Sequence, residues 1–197
     1  MNKEKLEEIR DLLIVVDMVN GFIREGAMSD SYIEHIIPRI EKLVNEYTKE
    51  TDKVIFIKDC HEKDAVEFNR YPVHCLKNTS ESELVDELKK YENNALVYEK
   101  NSTSAITAPG FIDDIKKMNN LERVVITGCC TDICDINLAI PLQNIFDQEN
   151  RSVDIYVPMD AVETYNSPEH NRDEWNDMAM KFMKQGGIKL VKTYERK

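Results

Sequence analysis

The chain has 197 residues, 42% of them hydrophobic, with 6 Gly and 6 Pro, a balance that fits one ordinary globular domain and excludes disordered and fibrous classes. Its 26 Lys and Arg against 37 Asp and Glu give a net charge of -11 with no basic cluster, which argues against nucleic acid and anionic membranes as partners. The opening MNKEKLEEIRDLLIVVD is too charged for a signal peptide, and no apolar run approaches the roughly 20 residues that span a bilayer, so a cytoplasmic location is expected. The 5 cysteines are odd in number and three fall within six positions, which points to free thiols rather than a disulfide framework.

The predicted elements alternate along the chain. LLIVVD (12–17) reads as a buried strand and YIEHIIPRIEKLVNEY (32–47) as a helix that Pro38 kinks or delays. VIFIKD (54–59) is the second strand; ELVDELKKYE (83–92) is the next helix, with Ser80 and Glu83 at capping-box spacing. ALVYEK (95–100), the helix FIDDIKKMNN (111–120) and RVVITG (123–128) follow, then a helix over TDICDINLAIPLQNIF (131–146) that contains Pro141. VDIYVP (153–158), the helix EHNRDEWNDMAMKFMKQ (169–185), a Gly186-Gly187 C-cap and IKLVKT (188–193) complete the chain. Trp175, Met178, Met180 and Met183 read as the packing face of the last helix. Six strands alternating with helices predict one domain over 1–197, a three-layer α/β/α fold with a six-stranded, mostly parallel sheet.

Parallel sheets bind ligands beyond the carboxyl ends of their strands, and those ends carry chemistry here. Strand one ends in Asp17, strand two in Asp59 followed by His61, strand three in Lys100, strand four in Gly128 to Cys134, and strand five leads to Asp160, which has no evident partner. Cys134 falls one turn into the helix after strand four, with Thr131 or Asp132 as N-cap, where unpaired N–H groups and the helix dipole are expected to favour a thiolate and to hold an oxyanion. Lys100 and Asp17 supply a positive charge and a carboxylate to move the thiol proton, which makes an Asp-Lys-Cys triad. The segment DCHEKDAVEFNRYPVHC adds Asp59, His61, Glu67 and His74, two imidazoles and two carboxylates suited to Zn, Mn or Fe. His35 and His170 read as solvated or half-buried histidines outside the site.

LLIVVDMVNGF, the strand ending in Lys100 and TGCCTDICD resemble the isochorismatase-like cysteine hydrolases over nearly the whole chain. The resemblance implies the triad Asp17, Lys100 and Cys134, a cis peptide between Cys129 and Cys130, and an oxyanion hole from the amides of Cys130 and Cys134. Asp135 departs from the apolar residue that commonly follows the catalytic Cys, and Cys130 is a second thiol beside it. Members that deamidate nicotinamide look like the segment after strand two, which implies Asp59, His61, Glu67 and His74 as ligands of a divalent metal ion, with zinc the first expectation. Phe22 and Tyr71 match the positions that sandwich the ring, with Cys130 beside the substrate. The implied activity is hydrolysis of nicotinamide to nicotinate and ammonia, within pyridine nucleotide salvage. The alternatives are a metal-independent hydrolase of carbamoyl or ureido compounds and a non-catalytic binding protein, the latter disfavoured by the intact triad. Similar enzymes occur as several assemblies, so a homo-oligomer is an allowed state.

Overall fold

The computed structural model describes residues 3–48 and 54–196; of the expected domain 1–197, residues 1, 2, 49–53 and 197 lie outside the described residues. The strands are β1 (Asp11–Val16), β2 (Val54–Asp59), β3 (Leu96–Lys100), β4 (Arg123–Cys129), β5 (Asp154–Pro158), β6 (Val162–Glu163) and β7 (Lys189–Val191). The α-helices are α1 (Asn20–Ile23), α2 (Ile37–Thr48), α3 (Asp86–Lys89), α4 (Phe111–Lys117), α5 (Ile136–Gln148) and α6 (Arg172–Gln185). Among the described residues no helix is long and apolar enough to cross a membrane.

All strand pairings are parallel, in the order β3-β2-β1-β4-β5-β7, with β6 added beside the end of β4. The six expected strands are therefore present, and the two-residue β6 is a seventh too short to carry a hydrophobic signal of its own. Both sheet faces are covered, which is why β1 is buried at every position and reads as a continuous apolar run. Alternate residues serve opposite faces: Leu12, Ile14 and Val16 pack with α4, α5 and α6, while Leu13 and Val15 pack with α2. On α2, Ile37, Ile40, Leu43, Val44 and Tyr47 form the buried stripe, each large apolar side chain contributing roughly 1.5–3 kcal/mol on burial.

Several predicted helices change at their ends for local reasons. Residues 31–36 form a 3-10 helix, and regular α geometry begins only at Ile37, one residue before Pro38, whose missing N–H is tolerated in a first turn. Pro141 lies inside α5 and removes the bond to the carbonyl of Asn137; the Ser104 hydroxyl donates to that carbonyl instead, at 2.9 Å. The helix over 83–92 contracts to the single turn of α3, and the Ser80/Glu83 capping box does not form, because Glu83 is extended and its carboxylate accepts from Lys89 at 2.7 Å. The side chain of Asn171 caps α6 by accepting from the Glu174 amide. At its other end Gly187 takes φ +90, and the amides of Gly187 and Ile188 reach back to Lys184 and Met183, the C-cap expected at Gly186-Gly187. Of the Met/Trp group on α6, only Met183 is fully buried; Met180 is partly buried and Trp175 and Met178 are exposed, so the helix packs through Ala179 and Met183 rather than through the whole expected face.

Candidate active site

The carboxyl ends of β1, β2, β3 and β4 converge on one rim. Asp59 and Lys100 are register partners on β2 and β3, and the Asp17 amide donates to Ile57, so three ionisable groups are fixed by backbone pairing alone. Asp17 sits in the left-handed region at φ 51, where the chain turns sharply off β1. Gly128 at φ +125 presses against Val16: a Cβ there would lie 2.0 Å from the Val16 carbonyl oxygen, so only glycine lets the end of β4 come this close to Asp17. The following Cys129-Cys130 peptide is cis, as the resemblance implies.

Lys100 is the hub. Its Nζ lies 2.8 Å from Asp17 Oδ2, 2.8 Å from Asp59 Oδ1 and 3.8 Å from Cys134 Sγ, all inside the protein. Burial pulls its pKa down, but the two carboxylates outweigh this and hold it above its ordinary value, so it stays charged. Burial pushes Asp17 up to about 6, against the lowering by Lys100. Burial also pushes the Cys134 thiol well above its ordinary range, with Lys100 offsetting only part. This corrects the expectation of a resting thiolate. The dry setting outweighs the helix terminus, and the thiol needs a base to take its proton on reaction. The cap is different too: Thr131–Asp135 form one wide π turn whose N-cap residue is Cys130, with no capping bond from Thr131 or Asp132. Asp135 is completely buried with neither oxygen hydrogen-bonded, and burial raises its pKa above the ordinary carboxylate value.

A second cluster shares Asp59. Its Oδ2 lies 3.1 Å from His61 Nε2 and 3.3 Å from His74 Nε2, and one donor atom from each of the three residues falls within 4.8 Å of the others. The ring orientations are set from behind. His74 Nδ1 donates to the Pro72 carbonyl at 2.7 Å, and His61 Nδ1 donates to Asn101 Oδ1 at 3.0 Å, an oxygen that also accepts from the Glu62 amide. With protons on both Nδ1 atoms, two Nε2 lone pairs face a carboxylate, and His61 Nε2 is buried with no hydrogen-bond partner. Such a donor set calls for a cation, and the residues fit a divalent metal with coordination positions left open. The Glu67 carboxylate is not one of the three clustered donors, although Glu67 is buried and lines the same cavity.

That cavity, about 30 Å³, is lined by Phe22, Asp59, Glu67, Tyr71, His74, Cys130 and Cys134, which unites seven of the ten predicted site residues. Asp17, His61 and Lys100 stand behind this wall. Met28, Tyr71 and Tyr165 separate the cavity from an outer cleft of about 760 Å³. Sequence reasoning missed Met28, Thr103, Ile133 and Tyr165 in the wall, and Phe68, which packs edge-on against His61 and His74 at 5.2 and 5.6 Å. It also missed Asn101, which the strand-end rule locates one residue past Lys100. Asp160 is not part of the site: it accepts from Thr193 at 2.7 Å and lies 3.4 Å from Arg39. His35 is half exposed, as read. His170 is not solvated but buried against Asp132.

Known proteins resemble this chain in sequence and in fold. Over 137 residues the chain is 33% identical to nicotinamidase 1 of Arabidopsis thaliana, covering 62% of this chain and 55% of that protein, so the match spans about half the length of that relative. Among solved structures, N-carbamoylsarcosine amidase from Thermoplasma acidophilum is 25% identical with a TM-score of 0.76, over 96% of this chain and 99% of that one. The pyrazinamidase of Pyrococcus horikoshii, solved in complex with zinc, is also 25% identical, with a TM-score of 0.74 over 93% and 99%. The sequence model of the isochorismatase domain matches residues 11–195, nearly the whole sheet and every strand-end residue described above, and the chain belongs to that family.

Proposed function

We propose that the chain is an amidohydrolase that converts nicotinamide to nicotinate and ammonia through a thioester on Cys134. The observation that carries this reading is the Asp59, His61, His74 donor cluster, which opens on the same cavity as the Cys134 thiol. A divalent ion held there, zinc in the first instance, supplies a coordination position that a heteroaromatic nitrogen can take. Glu67 is the outer carboxylate of that site. Phe22 and Tyr71, both in the cavity wall, bracket the flat ring.

In the reaction Asp17 takes the Cys134 proton as sulfur bonds to the carboxamide carbon, and Lys100 balances the charge that develops on both. The amides of Cys130 and Cys134 receive the oxyanion. The C–N bond then breaks and Asp17 returns the proton to the leaving ammonia. Water, deprotonated by Asp17, hydrolyses the thioester to the carboxylate and restores the thiol.

The test is ammonia release from nicotinamide by the purified protein before and after a strong chelator, with metal content measured. Chelator-sensitive turnover restored by zinc, and its loss together with bound metal in His61→Ala, support the reading. Turnover of carbamoyl or ureido amides in place of nicotinamide, insensitive to chelator, sinks it and favours a function nearer the Thermoplasma amidase.

Asp17 makes a second expectation. The base must be ionised, so kcat/KM is expected to fall about tenfold per pH unit as pH drops below about 6, with metal content unchanged in the same samples. A profile flat down to pH near 4.5, or an acid limb that follows metal loss, contradicts the role given to Asp17.

A further inference from the structure

His170 occupies an unusual setting outside the cluster just described. Its ring is sandwiched face to face between Tyr165 and Trp175, at 3.9 and 4.6 Å and 11° from parallel in both cases. Nε2 lies 2.9 Å from Asp132 Oδ2 and Nδ1 lies 3.0 Å from the Tyr165 carbonyl. Both ring nitrogens thus face oxygen atoms, the Asp132 carboxylate on one side and a backbone carbonyl on the other, which fixes the ring in its plane between the two aromatic faces. The residue is buried, with its side chain 8% exposed and that of Asp132 5% exposed.

What the ring joins is more informative than how it is held. Asp132 lies midway between Cys130 and Cys134 in the wide turn after β4, and its other carboxylate oxygen has no hydrogen-bond partner. A π turn is rare and frequently marks a functional site, and no side chain caps this one. Tyr165 lines the cavity opposite that turn and also borders the outer cleft. The short loop carrying both is closed by paired bonds between Ser167 and His170 and by the Arg172 amide on Asn166 Oδ1. We propose that His170 is a positioning residue that ties the nucleophile-bearing turn to the aromatic wall of the cavity. Through Asp132 it fixes where the Cys134 sulfur stands relative to Lys100; through the stack it fixes the face that Tyr165 offers to a bound ring.

The experiment uses the full chain and two readouts. Alkylation of Cys134 by iodoacetamide, followed by peptide mass, reports thiol position without any substrate; steady-state hydrolysis of nicotinamide reports kcat and KM, and only this arm rests on the proposed activity. His170→Phe keeps a stacking ring but removes both ring nitrogens. It is expected to slow Cys134 alkylation and lower kcat on the order of 10- to 100-fold, the size of effect that a misplaced reacting group produces. Asp132→Asn is expected to shift both readouts in the same direction, and the double variant to be no worse than the worse single, since both act through one contact. Phe146→Leu, a core change remote from the site, is expected to lower the melting temperature while leaving alkylation unchanged. Should His170→Phe fail to fold, Asp132→Asn alone decides. Wild-type alkylation in the folded variants, or losses that multiply in the double, overturns the proposal. Slowed alkylation in a protein whose parent does not hydrolyse nicotinamide keeps the positioning role and removes the nicotinamidase reading instead.

Discussion

Cys134→Ala is expected to lower kcat for nicotinamide on the order of 10⁴- to 10⁶-fold, the range seen when a covalent nucleophile is removed, while bound metal stays at the parent level. The separation follows from the architecture. Cys134 enters from the turn after β4, whereas Asp59, His61 and His74 come from β2 and the loop behind it, so deleting the sulfur leaves every metal donor and its hydrogen bonds in place. Cys130→Ala is the informative partner. Cys130 also lines the cavity, but it is Cys134 whose sulfur lies 3.8 Å from the Lys100 ammonium, so the Cys130 variant should keep activity within about tenfold. Measured kcat and metal content of the two variants decide the matter. A Cys134→Ala protein that still releases ammonia, or a Cys130→Ala protein that does not, reassigns the nucleophile.

The parts legible in the sequence are those fixed by strand ends. A parallel sheet buried on both faces announces its strands as apolar runs, and the residue that closes each run must lie at the rim, so Asp17, Asp59 and Lys100 follow from local pattern. Cys134 follows from the same rule one turn later. His170 and Tyr165 illustrate what is not local. Tyr165 lies in a segment without strand or helix period and His170 at the start of the last predicted helix, and what places them is non-local: His170 meets Asp132, 38 positions earlier, and Tyr165 stacks on His170. The charge states were equally hidden. A helix start predicts a depressed thiol, yet the depth at which the sheet buries Cys134 reverses the sign, and sequence alone does not give depth. Glu67 shows the limit of spacing: its distance along the chain suits a ligand, and it lines the cavity with Asp59 and His74 without being one of the three clustered donors.

Lys100→Met is expected to cost more than activity. Its ammonium is the charge shared by Asp17, Asp59 and the thiol, and Met fills similar volume without it, so two buried carboxylates lose their common partner. Breaking a buried ion pair from one side costs about 3–5 kcal/mol, which in a domain of this size lowers the melting temperature by roughly 6–20 °C. Turnover should fall on the order of 10²- to 10⁴-fold, because the charge that Asp17 and the sulfur exchange is no longer balanced. The loss of stability should depend on pH with a definite sign. Asp17 is a carboxylate whose folded pKa, about 6, already lies above its unfolded value of 3.8, so the folded state binds the extra proton and stability falls as pH rises through that window. Without Lys100 the lowering contribution disappears and the window extends upward. The melting deficit of Lys100→Met relative to the parent is therefore expected to narrow as pH is lowered from 8 towards 5, where protonation discharges Asp17. Melting curves across that range test it: a deficit that is constant or widens towards pH 5 means that the lysine is not what holds the buried carboxylates ionised.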